Sequence, residues 1–278
     1  MEVFVARQPI FDHQQKVYGY ELLYRSRNND NYDETNGDRA SLKVIENFLF
    51  ITGIEKLTGG KRAFINFTKN LLLEGIAFKL PPKFLVIEIL EDVDPNEEII
   101  TVCHELKRSG YLLALDDFVL KENGSNPLLN LIDILKVDIQ LSSEDEVEAT
   151  TQKAKEKRIK LLAEKTETLS EFEKAKKLGY NYFQGYFFSK PKIIARKDIP
   201  ASKIAQLELL QEINRPELDL EKLEKIVKKD TSLTFKLLKY INSAFFGLYQ
   251  PVTSIKKALI MVGESELRKW GSLIILTS

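Results

Sequence analysis

Leu112-Leu-Ala-Leu-Asp116-Asp117-Phe118 is the stretch that decides the fold. An apolar run without alternation stops abruptly at two adjacent carboxylates. Such a run is expected of a strand covered on both faces, as in a parallel sheet or a β/α barrel. Packing does not explain the two acids at its carboxyl end. Successive side chains on a strand point to opposite sides, so one acid should turn inward and the other toward the rim. Burying neighbouring carboxylates is costly unless a cation or donors compensate. Either water solvates them at a loop mouth, or they gather on a metal.

The flanking segments repeat the pattern. Toward the N-terminus lie FLVIEIL (84–90) with Glu88, KRAFINF (61–67) ending near Asn66, and two early strands, VFVARQPI (3–10) and KVYGYELLY (16–24), joined by a turn. Toward the C-terminus lie LIDILKVDI (131–139) with Lys136 and Asp138, IKLLAEK (159–165) ending near Glu164, and Tyr180 to Phe188 around Gln184-Gly185. Helices are expected from Asp38 to Phe50, after Thr68, from Asp94-Pro95 to Ser109, from Ser143 to Lys157 and from Ser170 to Leu178, the last stopped by Gly179. A polar loop from Ser26 to Gly37 separates the second strand from the first helix. Alternation about every 25 residues predicts an α/β fold, and a TIM-like (β/α)8 barrel ahead of an open sheet. No glycine-rich dinucleotide fingerprint follows the first strand, which lowers the case for an open sheet.

Residues 189–203 (SKPKIIARKDIPASK) read as a linker, and the chain then changes character. Residues 204–214, 219–229, 231–242, 253–262 and 264–277 read as helices, giving an all-α helical segment after the barrel. The expected domains are 1–195 and 201–278. The segment closes on the apolar run Leu273-Ile-Ile-Leu276, which reads as an incomplete helical domain. Trp270 and the Phe245-Phe246 pair fall at core spacings.

Composition narrows the function. The 278 residues carry 41 basic and 41 acidic side chains, so nothing predicts bulk attraction to nucleic acid or to an anionic membrane. One cysteine, Cys103, suits a reducing compartment. No run approaches the roughly 20 apolar residues of a membrane span, and the first residues do not read as a signal peptide. A cytoplasmic protein is expected.

The polar residues at strand ends are Glu21, Asn66, Glu88, Asp116, Asp117, Lys136, Glu164 and Gln184. Singly, each is best read as a solvated side chain. In a β/α barrel the carboxyl ends of the strands converge on one face, so together they would ring one mouth. Carboxylates with an amide, and no cysteine or histidine, are hard ligands suited to Mg²⁺ or Mn²⁺. The two histidines, His13 and His104, fall in a turn and a helix. A hard cation cluster beside a lysine is the equipment of phosphoryl chemistry. Asp138 could simply pair with Lys136, and Arg7-Gln8-Pro9 could touch a base or shape the first strand, the second being the preferred reading.

In order along the chain stand Glu21-Leu-Leu-Tyr-Arg25, FINFT with Asn66, Glu88-Ile-Leu-Glu91, Asp116-Asp117-Phe118, Lys136-Val-Asp138, Ala163-Glu164-Lys-Thr-Glu167 and Gln184-Gly-Tyr186. This series resembles the EAL-domain phosphodiesterases, which hydrolyse cyclic di-GMP to linear pGpG, over about residues 3 to 191. The resemblance implies metal ligation by Glu21, Asn66, Glu88 and Asp116, with Asp117 at a second metal position. It implies catalytic roles for Lys136, Glu164 and Glu167, and substrate contacts for Arg25, Gln184 and Asp138. Glu91 would support the loop after the paired aspartates. It also implies that cyclic di-GMP is the ligand and that two barrels can pair as a homodimer.

The chain departs from the family pattern at three places. Leu22 stands where the signature has alanine, Val119 to Gly124 replace a Gly-Thr-Gly-like loop, and Lys165 replaces a glycine. The loop change bears on turnover more than on ligand binding. After residue 201, Ile226-Val-Lys-Lys-Asp230, Asn242-Ser-Ala-Phe-Phe-Gly247 and Ser254 to Gly263 resemble the opening helices of an HDOD domain. No histidine follows residue 201, so an HD-type metal centre cannot form there, and a signalling module with an unidentified protein partner is implied. Three functions compete: a metal-dependent phosphodiesterase, a non-catalytic cyclic di-GMP receptor, and a structural adaptor.

Overall fold

A computed structural model describes residues 2–25, 37–118, 126–140, 143–188, 192–197 and 201–277. Nine strands are found among these residues: β1 (Glu2–Asp12), β2 (Val17–Arg25), β3 (Arg62–Phe67), β4 (Leu85–Ile89), β5 (Leu112–Leu115), β6 (Ile134–Asp138), β7 (Lys160–Glu164), β8 (Tyr182–Phe183) and β9 (Lys192–Lys197). The sheet runs from β2 in sequence order to β8, then to β1, which also pairs with β2. The eight-stranded barrel is therefore closed, as expected from the sequence. From β2 to β8 every neighbouring pair is parallel.

β1 departs from the all-parallel expectation, because it pairs with β8 antiparallel. The cause is the short β1–β2 connection. Asp12 accepts backbone bonds from Gln14 and Lys16, each at 2.9 Å, and its own N–H donates to the Lys16 carbonyl. A tight hairpin can join only antiparallel strands. β9 corrects the linker reading. Ile193 and Ile194 sit in a six-residue strand next to β1 in the sheet order, between the prolines at 191 and 200 that marked the segment as a linker.

Helices connect the parallel strands: α3 (Lys69–Leu73), α4 (Glu97–Arg108), α5 (Glu144–Glu156) and α6 (Leu169–Leu178). Their boundaries follow side-chain caps. Asn96 accepts from the Ile99 N–H at 3.0 Å, and Ser143 and Thr168 each form a capping box with a glutamate three residues on. Gly179 ends α6 in the left-handed conformation, as its sequence position predicts.

Inside the barrel, one buried layer is made of Ile10, Phe64, Val86, Ala114, Ile134, Leu162 and Tyr182, with Tyr18 against it. Gly19 on β2 leaves room for this layer. A Cβ there would lie 2.9 Å from the Phe64 ring. Two residues farther along each parallel strand, the side chains point the same way but are polar, and they form the functional site.

The chain packs as two compact units: residues 6–23 with 61–193, and residues 1–5 and 24–60 with 194–278. The second unit therefore includes a segment that lies between β2 and β3 in sequence. That segment contains α1 (Gly37–Glu46), a π-helical turn (Asn47–Ile51) and α2 (Ile54–Thr58). The unit also holds α7 (Lys203–Ile213), α8 (Leu220–Lys229), α9 (Thr231–Ile241), α10 (Ile255–Val262) and α11 (Glu264–Thr277). The five helices after residue 201 lie where the sequence places them. Trp270 is fully buried, and the Phe50 ring meets Tyr240 edge-on at 5.9 Å.

A buried ion pair fixes the inserted segment. Glu46 at the end of α1 accepts from Lys236 on α9 at 2.7 Å, and both side chains are at most 2% exposed. Lys43 also pairs with Glu46 at 2.9 Å and donates to the carbonyl of Thr277 at 2.7 Å. Leaving a buried carboxylate without its principal partner costs about 3 kcal/mol. Lys236→Met should lower the denaturant stability of this unit by that order, and adding Glu46→Leu should recover most of it. Equal stability of Lys236→Met and the parent in urea unfolding would show that the pair contributes nothing.

Candidate active site

Each strand presents one polar side chain to the barrel mouth. Residues two positions beyond the apolar layer are Asn66, Glu88, Asp116, Lys136, Glu164 and Gln184, and Glu21 follows Gly19 by the same step. Register places Asn66 opposite Glu88, and Asp138 opposite Glu164. β1 runs the other way, so its contribution comes two residues before Ile10. It is Gln8, whose side-chain carbonyl oxygen accepts from the Gln184 amide at 3.2 Å. That amide also donates to Glu21 Oε2. Sequence reasoning leaves Gln8 out of the ring because it prefers a strand-shaping role for this stretch to a ligand contact. The hairpin turn is the signal that could have reversed the direction of counting.

Lys136 lies at the centre, 1% exposed. Its ammonium is 2.6 Å from Asp116, 2.8 Å from Glu88, 3.1 Å from Glu164 and 3.7 Å from Glu21. The four acids thus face a common centre, as the strand-end reading requires. Burial alone would lower the Lys136 pKa, but Asp116, Glu164, Glu21 and Glu88 together hold it well above the ordinary lysine value. Lys136 is therefore a fixed positive charge and not a base. Burial pushes the Glu88 and Glu164 carboxyls well above the usual carboxylate range. Lys136 opposes the rise, and the neighbouring acids add to it.

Asp116 and Asp117 divide as the alternation predicts. Asp116 is buried and Asp117 is exposed at the rim, with a left-handed φ of 40°. Oxygen atoms of Asp116, Asp117 and Glu164 all lie within 4.8 Å of one another. This turn brings the outward acid back over the mouth, so both aspartates face Glu164.

The donor set fits a hard divalent cation. Glu88 Oε2 and Glu164 Oε2 are buried without a hydrogen-bond partner. Four carboxylates crowd the Lys136 ammonium, with Asp117 at the rim, and such an excess of negative charge around one buried ammonium calls for a further cation or for protons. Oxygen ligands without histidine or cysteine match Mg²⁺ or Mn²⁺ chemistry.

Comparison with known proteins gives the same direction. Residues 60–191 match the EAL domain, and residues 199–277 match the HDOD domain. The chain is 39% identical to the Bacillus subtilis protein YuxH over 97% of its length and 67% of that protein. The chain is an EAL–HDOD protein. It is also 35% identical to the cyclic di-GMP phosphodiesterase CdgJ of Vibrio cholerae, over 98% of this chain and 63% of that one. The EAL–HDOD chain thus spans about two thirds of the length of these relatives. Klebsiella pneumoniae BlrP1, in a manganese and cy-diGMP complex, shares the fold with a TM-score of 0.55 and 24% identity, over 69% of this chain and 57% of that one.

The remaining positions expected of an EAL–HDOD protein are not all in the cluster. Arg25 closes β2 and is half-buried. Glu91 lies beyond β4 near the surface, its carboxyl raised by burial and by Asp116, Asp117 and Asp92, against its own backbone bond. Glu167 is exposed, and its backbone N–H donates to Glu171 at 2.7 Å. Its side chain makes no hydrogen bond or ion pair among the described residues. Asp138 does not pair with Lys136, whose ammonium is taken by the four acids. It pairs with Lys165 instead. The altered loop from Val119 to Gly124 lies outside the described residues. No helix is long and apolar enough to cross a membrane among those described.

Gln184 owes its place to Gly185. A Cβ on that glycine would fall 2.1 Å from the Thr166 carbonyl oxygen, so any larger residue would force the two loops apart. Thr166 N–H donates to the Gln184 carbonyl at 3.0 Å, and Phe187 N–H donates to the Thr166 carbonyl at 3.1 Å.

The raised carboxyls set a pH dependence. Glu88 and Glu164 bind protons more tightly folded than unfolded, so the metal-free protein loses stability as pH climbs through and above the usual carboxylate range. Divalent ions should offset this loss, by about 2.7 kcal/mol at a hundredfold excess over Kd. Melting curves in EDTA and in Mn²⁺ at about pH 5 and about pH 8 should show a larger gain at the higher pH. No shift with Mn²⁺ or Mg²⁺ at either pH would count against the ion.

Proposed function

We propose that the barrel hydrolyses cyclic di-GMP to pGpG with Mg²⁺ or Mn²⁺ as cofactor. One observation carries the reading: eight strands each supply a polar side chain to one mouth, and four acids converge on the buried Lys136 ammonium. The named activity of the 35% identical V. cholerae relative and the bound ligands of the K. pneumoniae structure support it.

Glu21, Asn66, Glu88, Asp116 and Asp117 would hold the ion. It would supply Lewis acidity toward a phosphate and lower the pKa of water. Lys136, kept cationic by its acidic neighbours, steadies negative charge as it develops on the attacking oxygen and the phosphate. Glu164 has a buried oxygen free of hydrogen bonds and a carboxyl with raised proton affinity, so it can take the proton from the nucleophile. Glu167, on the loop that follows Glu164, would assist that transfer. Gln184, anchored by Gln8 and Glu21, would contact the ligand, with Asp138 as a member of the binding rim.

The helical segment reads as a signalling module, because residues 201–278 contain no histidine for a second metal centre. Its protein partner, pairing of barrels as a homodimer and a cytoplasmic location belong to the same proposal. A second reading, a cyclic di-GMP receptor without turnover, is favoured by one observation. Val119 to Gly124 differ from the Gly-Thr-Gly-like loop of the family.

Purified protein incubated with cyclic di-GMP and Mn²⁺ or Mg²⁺ should yield pGpG. Glu21→Ala and Lys136→Ala should each reduce the rate by at least ~100-fold, as losses at supporting metal-site groups do. Saturable binding with no product establishes the receptor, and absence of both binding and product leaves the adaptor.

A further inference from the structure

Lys165 stands at the rim in an unusual state. Its φ is +49°, in the left-handed region that disfavours residues with a Cβ, and the family pattern has glycine at this place. Its neighbours hold it there. The ammonium pairs with Asp138 Oδ2, and the Lys165 carbonyl accepts from Gln140 Nε2 at 3.0 Å. Asp138 Oδ1 in turn accepts the Gln140 backbone N–H at 2.9 Å. Asp138, which lies opposite Glu164 in the β6–β7 register, is buried, while the Lys165 side chain remains 50% exposed.

A glycine at this position could keep the carbonyl bond to Gln140 without strain. What the lysine adds is a positive charge beside Glu164. Besides Asp138, the acids that act on this ammonium through space are Asp117 and Glu164, two of the three residues whose oxygens lie within 4.8 Å of one another. A cation bound by these acids would meet the Lys165 charge as a like charge, and such charges oppose each other more strongly the drier the site.

We propose that Lys165 is a tethered cation beside Glu164 that weakens the hold of Asp116 and Asp117 on the divalent ion of the barrel mouth, so that metal occupancy varies with free ion concentration instead of remaining saturated. Lys165 acts here as a positioning and tuning residue, since it touches Asp138 and not the reacting atoms. The inference rests on the metal-centre reading of the barrel mouth. Asp138 is the regulator of the effect, because its carboxylate masks part of the ammonium charge.

Mn²⁺ titration of the full chain, followed by the electron paramagnetic resonance signal of the free ion, tests this without reference to turnover. Lys165→Gln and Lys165→Gly should each bind Mn²⁺ about tenfold more tightly than the parent, and Lys165→Arg should match the parent. Asp138→Asn should weaken binding, and Lys165→Gln should abolish that weakening in the double variant. Raising the salt concentration should narrow the differences. Tighter binding in Lys165→Gly alone would assign the effect to relief of backbone strain and overturn the proposal. Equal affinity in all variants would overturn it while leaving the metal centre intact. Absence of Mn²⁺ binding in the parent and every variant would remove the metal-centre reading and this inference together.

Discussion

One buried ammonium organises the barrel mouth. Lys136 lies 2.6 to 3.7 Å from four carboxylates. None of these groups could be dehydrated alone without a penalty of several kcal/mol, and the arrangement is tolerable only as a set. The set exists because β-strand periodicity is two. The step that leads from Phe64 to Asn66 also leads from Val86 to Glu88, from Ala114 to Asp116 and from Ile134 to Lys136. A closed barrel converts that shared step into a ring. The apolar layer and the polar layer are thus a single construction, and the core that stabilises the barrel also aims its chemistry.

Most of the ring was legible in the linear sequence, since apolar runs ending in acids report both the strand and its mouth. What escaped depended on direction or on distant partners. Gln8 reads chiefly as part of a strand until the turn at Asp12 is taken to reverse β1 and aim that side chain at the mouth. Asp138 sits two residues from Lys136 on the same strand, so pairing between them was the local expectation. The acids of four other strands claim Lys136, and a residue 27 positions away takes Asp138. β9 hid inside a lysine- and proline-rich stretch whose composition resembles a linker. Periodicity locates the start of α1 but runs the helix on to Phe50, where the structure has a π-helical turn from Asn47 to Ile51, and it does not give the neighbours of α1. The buried Glu46–Lys236 contact, across 190 residues of chain, and the bond from Lys43 to the Thr277 carbonyl assign α1 to the second unit.

The rim is also mechanically linked. Gly185 passes so close to the Thr166 carbonyl that the loops after β7 and β8 must move together. Glu164 leads into one of these loops and Gln184 into the other. Their separation is therefore fixed by backbone contact, and the side chains need only choose rotamers. Lys165 lies in the same short segment, so its left-handed turn sits between Glu164 and the residue that locks the neighbouring loop.

The helical unit is discontinuous in the gene, with residues 24–60 encoded ahead of most barrel strands. Recombination that exchanged only the C-terminal module would give the newcomer helices the wrong inserted segment, with Phe48, Leu49 and Phe50 seeking a core made for another partner. Inheritance of the two units is thereby coupled. Replacing the helical module wholesale requires exchanging residues 24–60 together with those from 194 onward, while the strands between them stay in place.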